Sequence, residues 1–345
     1  MQLYDLFPKD EAPFCTRQIE EFRTDFRGLA VSHNVPLTLS TLLKLSPFME
    51  NDVSLFVTTP DNLGYDSVAL SYLQEQGILF DLDKKKICHG DLFLDCSANL
   101  LGLGKPSMVA ELTQTGVKKY QEASPTIPVV SIDDSYVKRL EDYFGTGDGF
   151  LRAYQEKISR SIRGKRFLIW GYGKVGKGIA RSLLAEGAEC LVVDLLAKNI
   201  EFAEKKGAKG FLASDEAALR QAVAQSDCLI TASGVRSVIS NHSLAEVIRD
   251  SSLTLVNMGA EDEFGPKFSQ DRVLNRKIAF NFILREPTRM KYLDPVFYAH
   301  NRSAQLFLQG KLKEGVAVFP KEIDLEIVKE WESLWKIDTK ELFDL

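Results

Sequence analysis

The run Phe167-Leu168-Ile169-Trp170-Gly171-Tyr172-Gly173-Lys174-Val175-Gly176-Lys177-Gly178 passes from an apolar segment into closely spaced glycines and then into helix-forming sequence. Residue types in that order can hold a diphosphate. Gly171 lets the chain turn sharply off a strand, Gly173 lets the backbone approach a pyrophosphate, and Gly176 lets the new helix lie close on the sheet. A helix from Val175 to Ala185, entered through Lys174, then offers its free N–H groups and about half a positive charge to the phosphates. Three glycines alone are a weak signal. Here a second strand, Glu189-Cys190-Leu191-Val192-Val193, ends in Asp194, about 20 residues further on, where a carboxylate is needed to accept ribose hydroxyls. Asp194 would repel a 2′-phosphate, and Leu195 and Leu196 supply no arginine to receive one. NAD is therefore expected rather than NADP.

The elements that position this turn follow from the hydrophobic pattern. A chain of 345 residues, 45% hydrophobic, is long for one core, so two domains are expected. In the first half, strand-like segments at Leu29–Ser32, Asp52–Val57, Ile78–Phe80, Leu92–Asp95 and Pro128–Ile132 alternate with helical stretches at Thr38–Phe48, Ser67–Gly77 and Val109–Gln121. Met1 to Phe26 reads as an entry helix. Gly145-Thr146-Gly147-Asp148-Gly149 has the glycine density of a hinge, and a helix over Leu151–Ile162 leads from it to the nucleotide turn. Beyond the turn, Gly210–Leu212, Cys228–Thr231, Leu253–Val256 and Ile278–Phe280 complete six strands, the doubly wound number. Helical periodicity over Phe297–Leu312 and Ile323–Trp335, with an extended piece at Val316–Pro320, predicts a C-terminal segment that returns to the first domain. The expected fold is α/β: a doubly wound NAD-binding Rossmann domain, residues 146–290, inserted into a smaller α/β substrate domain made of residues 1–145 and a helical segment at 291–345.

Bulk properties narrow the partners. A net charge of −5 with dispersed basic residues argues against nucleic acid. No apolar stretch approaches the roughly 18 to 20 residues of a membrane span, and Met1-Gln2-Leu3-Tyr4-Asp5 lacks a signal peptide's regions, so a cytoplasmic protein is expected. Five scattered cysteines, Cys15, Cys88, Cys96, Cys190 and Cys228, argue for reduced thiols. Four histidines and no Cys-x-x-Cys give a metal site little support.

With these pieces aligned, the chain resembles the S-adenosylhomocysteine hydrolase family. Its nucleotide turn matches that family's Gly-Tyr-Gly-Asp-Val-Gly-Lys-Gly. Glu111-Leu112-Thr113-Gln114-Thr115-Gly116 is similar to Glu-Glu-Thr-Thr-Thr-Gly, Asp133-Asp134-Ser135-Tyr136-Val137-Lys138 to Asn-Asp-Ser-Val-Thr-Lys, Asn257-Met258-Gly259 to Asn-Ile-Gly, and Phe319–Asp324 to Leu-Pro-Lys-Lys-Leu-Asp. The resemblance implies a tightly held NAD that oxidises a ribose 3′-hydroxyl, elimination of homocysteine, addition of water, and reduction back. It implies Thr113 and Thr115 near the nicotinamide and Asn257 at the cofactor. It also implies Lys138 as the base that takes the hydroxyl proton, with Asp142 four residues on. An i,i+4 pair of this kind is also a common solvated ion pair. His33 falls where the family places a histidine for elimination and hydration; a helix-capping or surface histidine is the alternative.

Several positions depart from the family. Its Leu-Asp-Asp-Gly-Gly-Asp-Leu reads Leu94-Asp95-Cys96-Ser97-Ala98-Asn99-Leu100 here, with Cys96 at the functional aspartate's place, either as a substrate-facing thiol or as a small core residue. The substrate-facing glutamate falls at Leu112, with Glu111 beside it. The family's histidine after Asn-Ile-Gly is Ala260, and its His-Pro-Ser-Phe is Asp294-Pro295-Val296-Phe297. The tail that covers a neighbouring subunit's NAD has no counterpart by Leu345, which makes a homodimer or monomer easier to expect than the family's tetramer. Cofactor and hydride groups are thus retained while groups for cleaving the C5′ bond are changed. The expected activity is NAD-dependent oxidation of a secondary hydroxyl on a nucleoside-like small molecule. Hydrolysis of S-adenosylhomocysteine and a catalytically inactive NAD or nucleotide sensor are the two alternatives.

Overall fold

The computed structural model describes residues 3, 9–23, 25–61 and 63–344. Part of the expected entry helix falls outside them; what is described there is a helix over Pro13–Glu21. The chain divides into an outer unit, residues 1–140 with 289–344, and an inner unit, residues 141–288. The chain leaves the outer unit through a π-helical stretch, Leu140–Gly145.

The outer unit is built on seven parallel strands. In chain order they are β1 (Ala30–Asn34), β2 (Ser54–Thr58), β3 (Leu79–Phe80), β4 (Leu92–Asp95), β5 (Met108–Glu111) and β6 (Pro128–Ser131), joined by β12 (Gly315–Val318) from the C-terminal segment. The spatial order is β12-β6-β5-β4-β1-β2-β3. β12 pairs in register with β6, Val316 beside Val129, so the late extended piece is a sheet edge. The outer unit was expected to be the smaller one, yet its sheet is the larger. Its extra strand is β5. Val109–Gln121 reads as one helix in sequence, but Met108–Glu111 is a buried strand and the helix, Gln114–Ala123, begins only after Thr113 caps it with its side chain on the Gly116 amide. A four-residue apolar run fits either period, and Thr113 marks the boundary. Strand order reverses between β1 and β4, which makes the carboxyl ends of those two strands a switch point.

The inner unit has five parallel strands, β7 (Arg166–Trp170), β8 (Glu189–Asp194), β9 (Lys209–Leu212), β10 (Cys228–Thr231) and β11 (Thr254–Asn257), in the order β11-β10-β7-β8-β9. Alternate residues serve opposite faces. Phe167, Ile169, Val192 and Ile230 join one buried cluster while Leu168, Val193, Leu229 and Leu255 join another, so helices cover both sides. This is the doubly wound arrangement expected, with one strand fewer. Ile278–Phe280 is not a strand: Phe280–Ile283 is a short 3₁₀ turn whose Phe280 side chain packs into the core. The supposed hinge is also different. Thr146–Lys157 is a helix, and its glycines are packing contacts rather than flexible joints: a side chain at Gly147 would overlap the Gly178 carbonyl, and one at Gly149 the Pro287 carbonyl. No helix of the described residues is long and apolar enough to cross a membrane.

Candidate functional site

The inner switch point lies between β7 and β10, where a ligand is expected beyond the carboxyl ends of the strands. There the three glycines of the turn do three different things. Gly171 has φ +101, and a Cβ on it would stand 2.5 Å from Ser233 Cα. A Cβ at Gly176 would overlap the Gly171 carbonyl oxygen, so the helix Lys174–Ala185 lies directly against the turn. At Gly173, the residue that caps this helix, a Cβ would meet nothing within 4 Å. That open face, at a helix start with no side-chain cap, is the space a diphosphate needs, with the amides of Lys174, Val175 and Gly176 leading the helix. Asp194, at the end of β8, accepts from the Tyr172 amide at 2.8 Å, the Leu196 amide at 2.9 Å and Asn199 Nδ2 at 3.0 Å. The carboxylate therefore ties the second strand to the glycine turn. Leu195 beside it is 80% exposed.

Two inner residues brace the segments around this crevice. Asn257, expected at the cofactor, has its amide fully engaged by the protein. Its Nδ2 donates to the carbonyls of Gly259, Glu261 and Lys277, and its Oδ1 accepts from Thr231 Oγ1 and the Gly259 amide. Glu263, not singled out in sequence, accepts from the Ser233 amide, Ser233 Oγ and the Gly234 amide at 2.7–2.9 Å. It thereby fixes the segment against which Gly171 packs; burial raises its carboxyl above the usual range.

The turn and its acid fit a dinucleotide, and comparison decides the type. Residues 143–265 match the family described as S-adenosyl-L-homocysteine hydrolase, NAD binding domain. The inner unit is an NAD-binding domain of the S-adenosylhomocysteine hydrolase type. Consistent with it, the chain is 25% identical over 216 residues to S-inosyl-L-homocysteine hydrolase of Methanococcus maripaludis, a match that covers 54% of this chain and 52% of the relative. The chain thus spans about half the length of that curated relative. Among solved structures, a dipicolinate synthase chain from Bacillus halodurans aligns with 13% identity and a TM-score of 0.48 over 79% of this chain and 97% of the other. Its counterpart in the Bacillus subtilis enzyme gives 12%, 0.49, 81% and 98%.

In the outer unit, the switch point gathers the other sequence-derived residues. His33 sits within β1, beside Val57 of β2 and Leu94 of β4, rather than after the strand. It is fully buried, and neither ring nitrogen has a hydrogen-bond partner among the described residues. Burial, then the charge of Lys44, then His300 hold its imidazolium form well below the ordinary range. Such a ring is not a surface or capping histidine.

Cys96 follows β4, and its thiol is pushed up by burial and by Glu111 and Asp95, so it stays protonated and is a poor nucleophile. Around it, Ser97 and Ala98 adopt φ of +65 and +52 where the family's motif has two glycines. What holds them there is Glu111. Its carboxylate accepts from the Ser97 and Ala98 amides at 2.9 and 3.0 Å, and from the Thr113 amide and hydroxyl at 2.8 and 2.7 Å. A side chain at Gly116 would collide with it. Asp95, its cross-strand partner, is likewise saturated by Asn34 Nδ2, the amides of Cys96 and Leu100, and Tyr120 OH. Glu111, placed at the substrate by its sequence neighbours, is thus a scaffold for the 95–100 loop. Thr115 Oγ1 stands 3.5 Å from Thr113 Oγ1 on the same helix start.

Lys138 and Asp142 were expected to share one helical face. Lys138 lies on the short α-helix Tyr136–Arg139, started by Ser135 and by Asp324, which accepts from the Tyr136 and Val137 amides. The π-helical stretch begins at Leu140, and its wider turn breaks the α-helical spacing between the two. Asp142 forms an ion pair with Lys174 of the nucleotide turn at 3.1 Å. π-Helical turns are frequent at functional sites.

Proposed function

We propose that this chain is an NAD-dependent enzyme that oxidises a secondary, ribose 3′-type hydroxyl on a nucleoside or sugar-like substrate. The observation that carries the reading is the open face at Gly173, bounded by Gly171, Gly176 and Asp194, in an NAD-binding domain of the adenosylhomocysteinase type. Bound NAD supplies the hydride acceptor. Lys138 takes the hydroxyl proton, Asp142 orients the coenzyme turn through Lys174, and neutral His33 accepts a hydrogen bond from the substrate at a ring nitrogen that has no partner among the described residues. Thr113 and Thr115 border the nicotinamide. A buried imidazole without partners carries an uncompensated desolvation cost unless a ligand meets it, which supports His33 as a site residue.

A second reading is favoured by the relative that acts on S-inosyl-L-homocysteine: cleavage of a nucleoside–homocysteine thioether. Against it stands Cys96, a buried protonated thiol at the position where the family has an aspartate.

Denaturing extraction of the purified protein followed by mass analysis is expected to yield NAD. Mixing the holoprotein with S-adenosylhomocysteine, S-inosylhomocysteine and their parent nucleosides is expected to raise the NADH absorbance band with the correct substrate, and not in Lys138→Ala. Release of homocysteine would favour the second reading. No change of absorbance with any of them, in either protein, would leave a nucleotide sensor.

A further inference from the structure

The helix that carries Lys138, Tyr136–Arg139, is four residues long. A single turn bears the full cost of helix nucleation with few hydrogen bonds to offset it, so its position is set by what it packs against. Within the outer unit, the C-terminal segment holds both of its ends. At the amino end Asp324, from the helix Lys321–Trp335, accepts from the Tyr136 and Val137 amides at 2.6 and 2.9 Å. That helix stops at Lys336, which has φ +55, and the chain folds back. Thr339 Oγ1 donates to Glu332 Oε2 at 2.7 Å, and Asp338 accepts from the Lys340 amide at 2.8 Å at the start of a 3₁₀ turn, Lys340–Asp344. This turn meets the other end of the Lys138 helix. The Leu342 carbonyl accepts from Arg139 Nη1 at 2.7 Å, and the Leu342 side chain is fully buried. The Phe343 ring lies 4.9 Å from that of Tyr136, and the Arg139 guanidinium stands 4.6 Å from the centre of the same Tyr136 ring. Tyr136 and Arg139, three residues apart, share one helical face, and both touch the C-terminal turn.

We propose that Leu342 and Phe343, with Arg139 as their contact, are positioning residues for Lys138: the C-terminal turn sets where the amine of the base stands. The inference rests on the reading of Lys138 as that base. Its physical basis is rigidity. Four helical residues move as one piece, so releasing Arg139 or Tyr136 displaces Lys138 with them. A base must lie within about 2.6–3.2 Å of the proton's oxygen, and a misplacement of about 1 Å can lower a rate about a hundredfold. Phe343 is 50% exposed and Arg139 only partly buried, so the contact removes little surface from water and its loss weighs on position more than on folding.

The test uses the full chain. Lysine Cε signals are read by NMR without substrate, with that of Lys138 assigned by its loss in Lys138→Met. Phe343→Ala and Arg139→Ala are each expected to move the Lys138 signal while the melting temperature stays within about 4 °C of the native value. Phe343→Tyr keeps the ring and is expected to restore the native signal. Mixing the holoprotein with adenosine, inosine and their homocysteine thioethers reads the reaction: with the compound that reduces NAD, both alanine variants are expected to lower kcat at least about tenfold and to leave KM within about twofold. A Lys138 signal that moves in neither alanine variant, or that Phe343→Tyr moves as far as Phe343→Ala does, overturns the proposal. If none of the compounds reduces NAD, the proposed oxidation fails and the signal alone decides the role of the turn. An active protein whose kcat is unchanged in both alanine variants leaves the oxidation standing and defeats the role given to the turn.

Discussion

Replacing Gly173 and Gly176 by alanine, one at a time, separates room for a ligand from room for the fold. At Gly173 the backbone is extended, with φ −76 and ψ −162, and an added Cβ meets no protein atom within 4 Å. Alanine loses the preference of glycine for a helix cap, about 0.5–1 kcal/mol. It regains about 0.4–1 kcal/mol from a less flexible unfolded chain. The two offset each other, so the ligand-free protein is expected to melt within about 2 °C of the native one, at ~2–4 °C per kcal/mol for a unit of this size. Its methyl occupies the face offered to the diphosphate, and NAD affinity is expected to fall at least about tenfold, or ~1.4 kcal/mol. At Gly176 the added Cβ overlaps the Gly171 carbonyl oxygen and stands 3.0 Å from its carbon, so the helix must move away from the turn. Overpacking of this kind costs about 1–3 kcal/mol, and Gly176→Ala is expected to lower the ligand-free melting temperature by about 2–12 °C. Thermal denaturation with and without NAD, together with calorimetric titration, reads both effects. A Gly173→Ala protein that binds NAD as tightly as the native chain refutes the placement of the diphosphate.

Asp194→Ser removes the carboxylate that joins the Tyr172 and Leu196 amides, and is expected to weaken NADH binding at least about tenfold while narrowing the preference over NADPH. Titration of the reduced coenzymes by fluorescence measures both. Burial and the neighbouring Asp95 push Glu111 up to about 8. The folded state therefore holds a proton on this pair that the unfolded chain, with a glutamate near 4.3, has already lost, and stability is expected to fall as pH rises from about 4.5 to 8. Denaturant midpoints at pH 5.5 and 8.5 show this as a slope, which Glu111→Gln is expected to flatten.

The inner unit was legible because its function fixes its residues. A diphosphate at a helix start requires glycines at set intervals and an acid one strand later, and Gly171, Gly173, Gly176 and Asp194 read as such without any knowledge of packing. Strands with both faces covered, such as Phe167–Trp170 and Cys228–Thr231, also read as unbroken apolar runs. What the sequence misreported were positions where one residue type serves two purposes. Glycines at 145, 147 and 149 suggest flexibility, but those at 147 and 149 supply close approach of backbone segments. Ile278–Phe280 has strand composition, yet Phe280 enters the core from a 3₁₀ turn. Lys44, flanked by leucines within a helix, was not singled out in the sequence; its hydrogen bond to Asn301, far along the chain, goes with its full burial. The residues that saturate Glu111 and Asp95 come from separate strands and loops, and no spacing rule connects them.

Counting donors divides the polar residues at each switch point into those that shape a crevice and those left for a ligand. A buried carboxylate is tolerated when hydrogen-bond donors replace its lost water. Glu111, Asp95 and Glu263 all accept from amides of the loops beside them, so their oxygens serve geometry. Asn257 is engaged in the same way. Loops such as 95–100, with two residues at positive φ, can be held in strained conformations only by such saturation, which makes removal of Glu111 a change in loop shape rather than the loss of a reacting group. Against that background His33 stands out, together with Asn34 Oδ1 and Thr58 Oγ1 at the carboxyl ends of β1 and β2, which also have no partner among the described residues. It is as deeply buried as the carboxylates and lies at the same strand ends, yet nothing in the described residues answers either nitrogen. A folded chain gains nothing by leaving such groups in that condition unless another molecule completes them, and this, more than its position in the sequence, supports His33 among the groups expected to meet substrate.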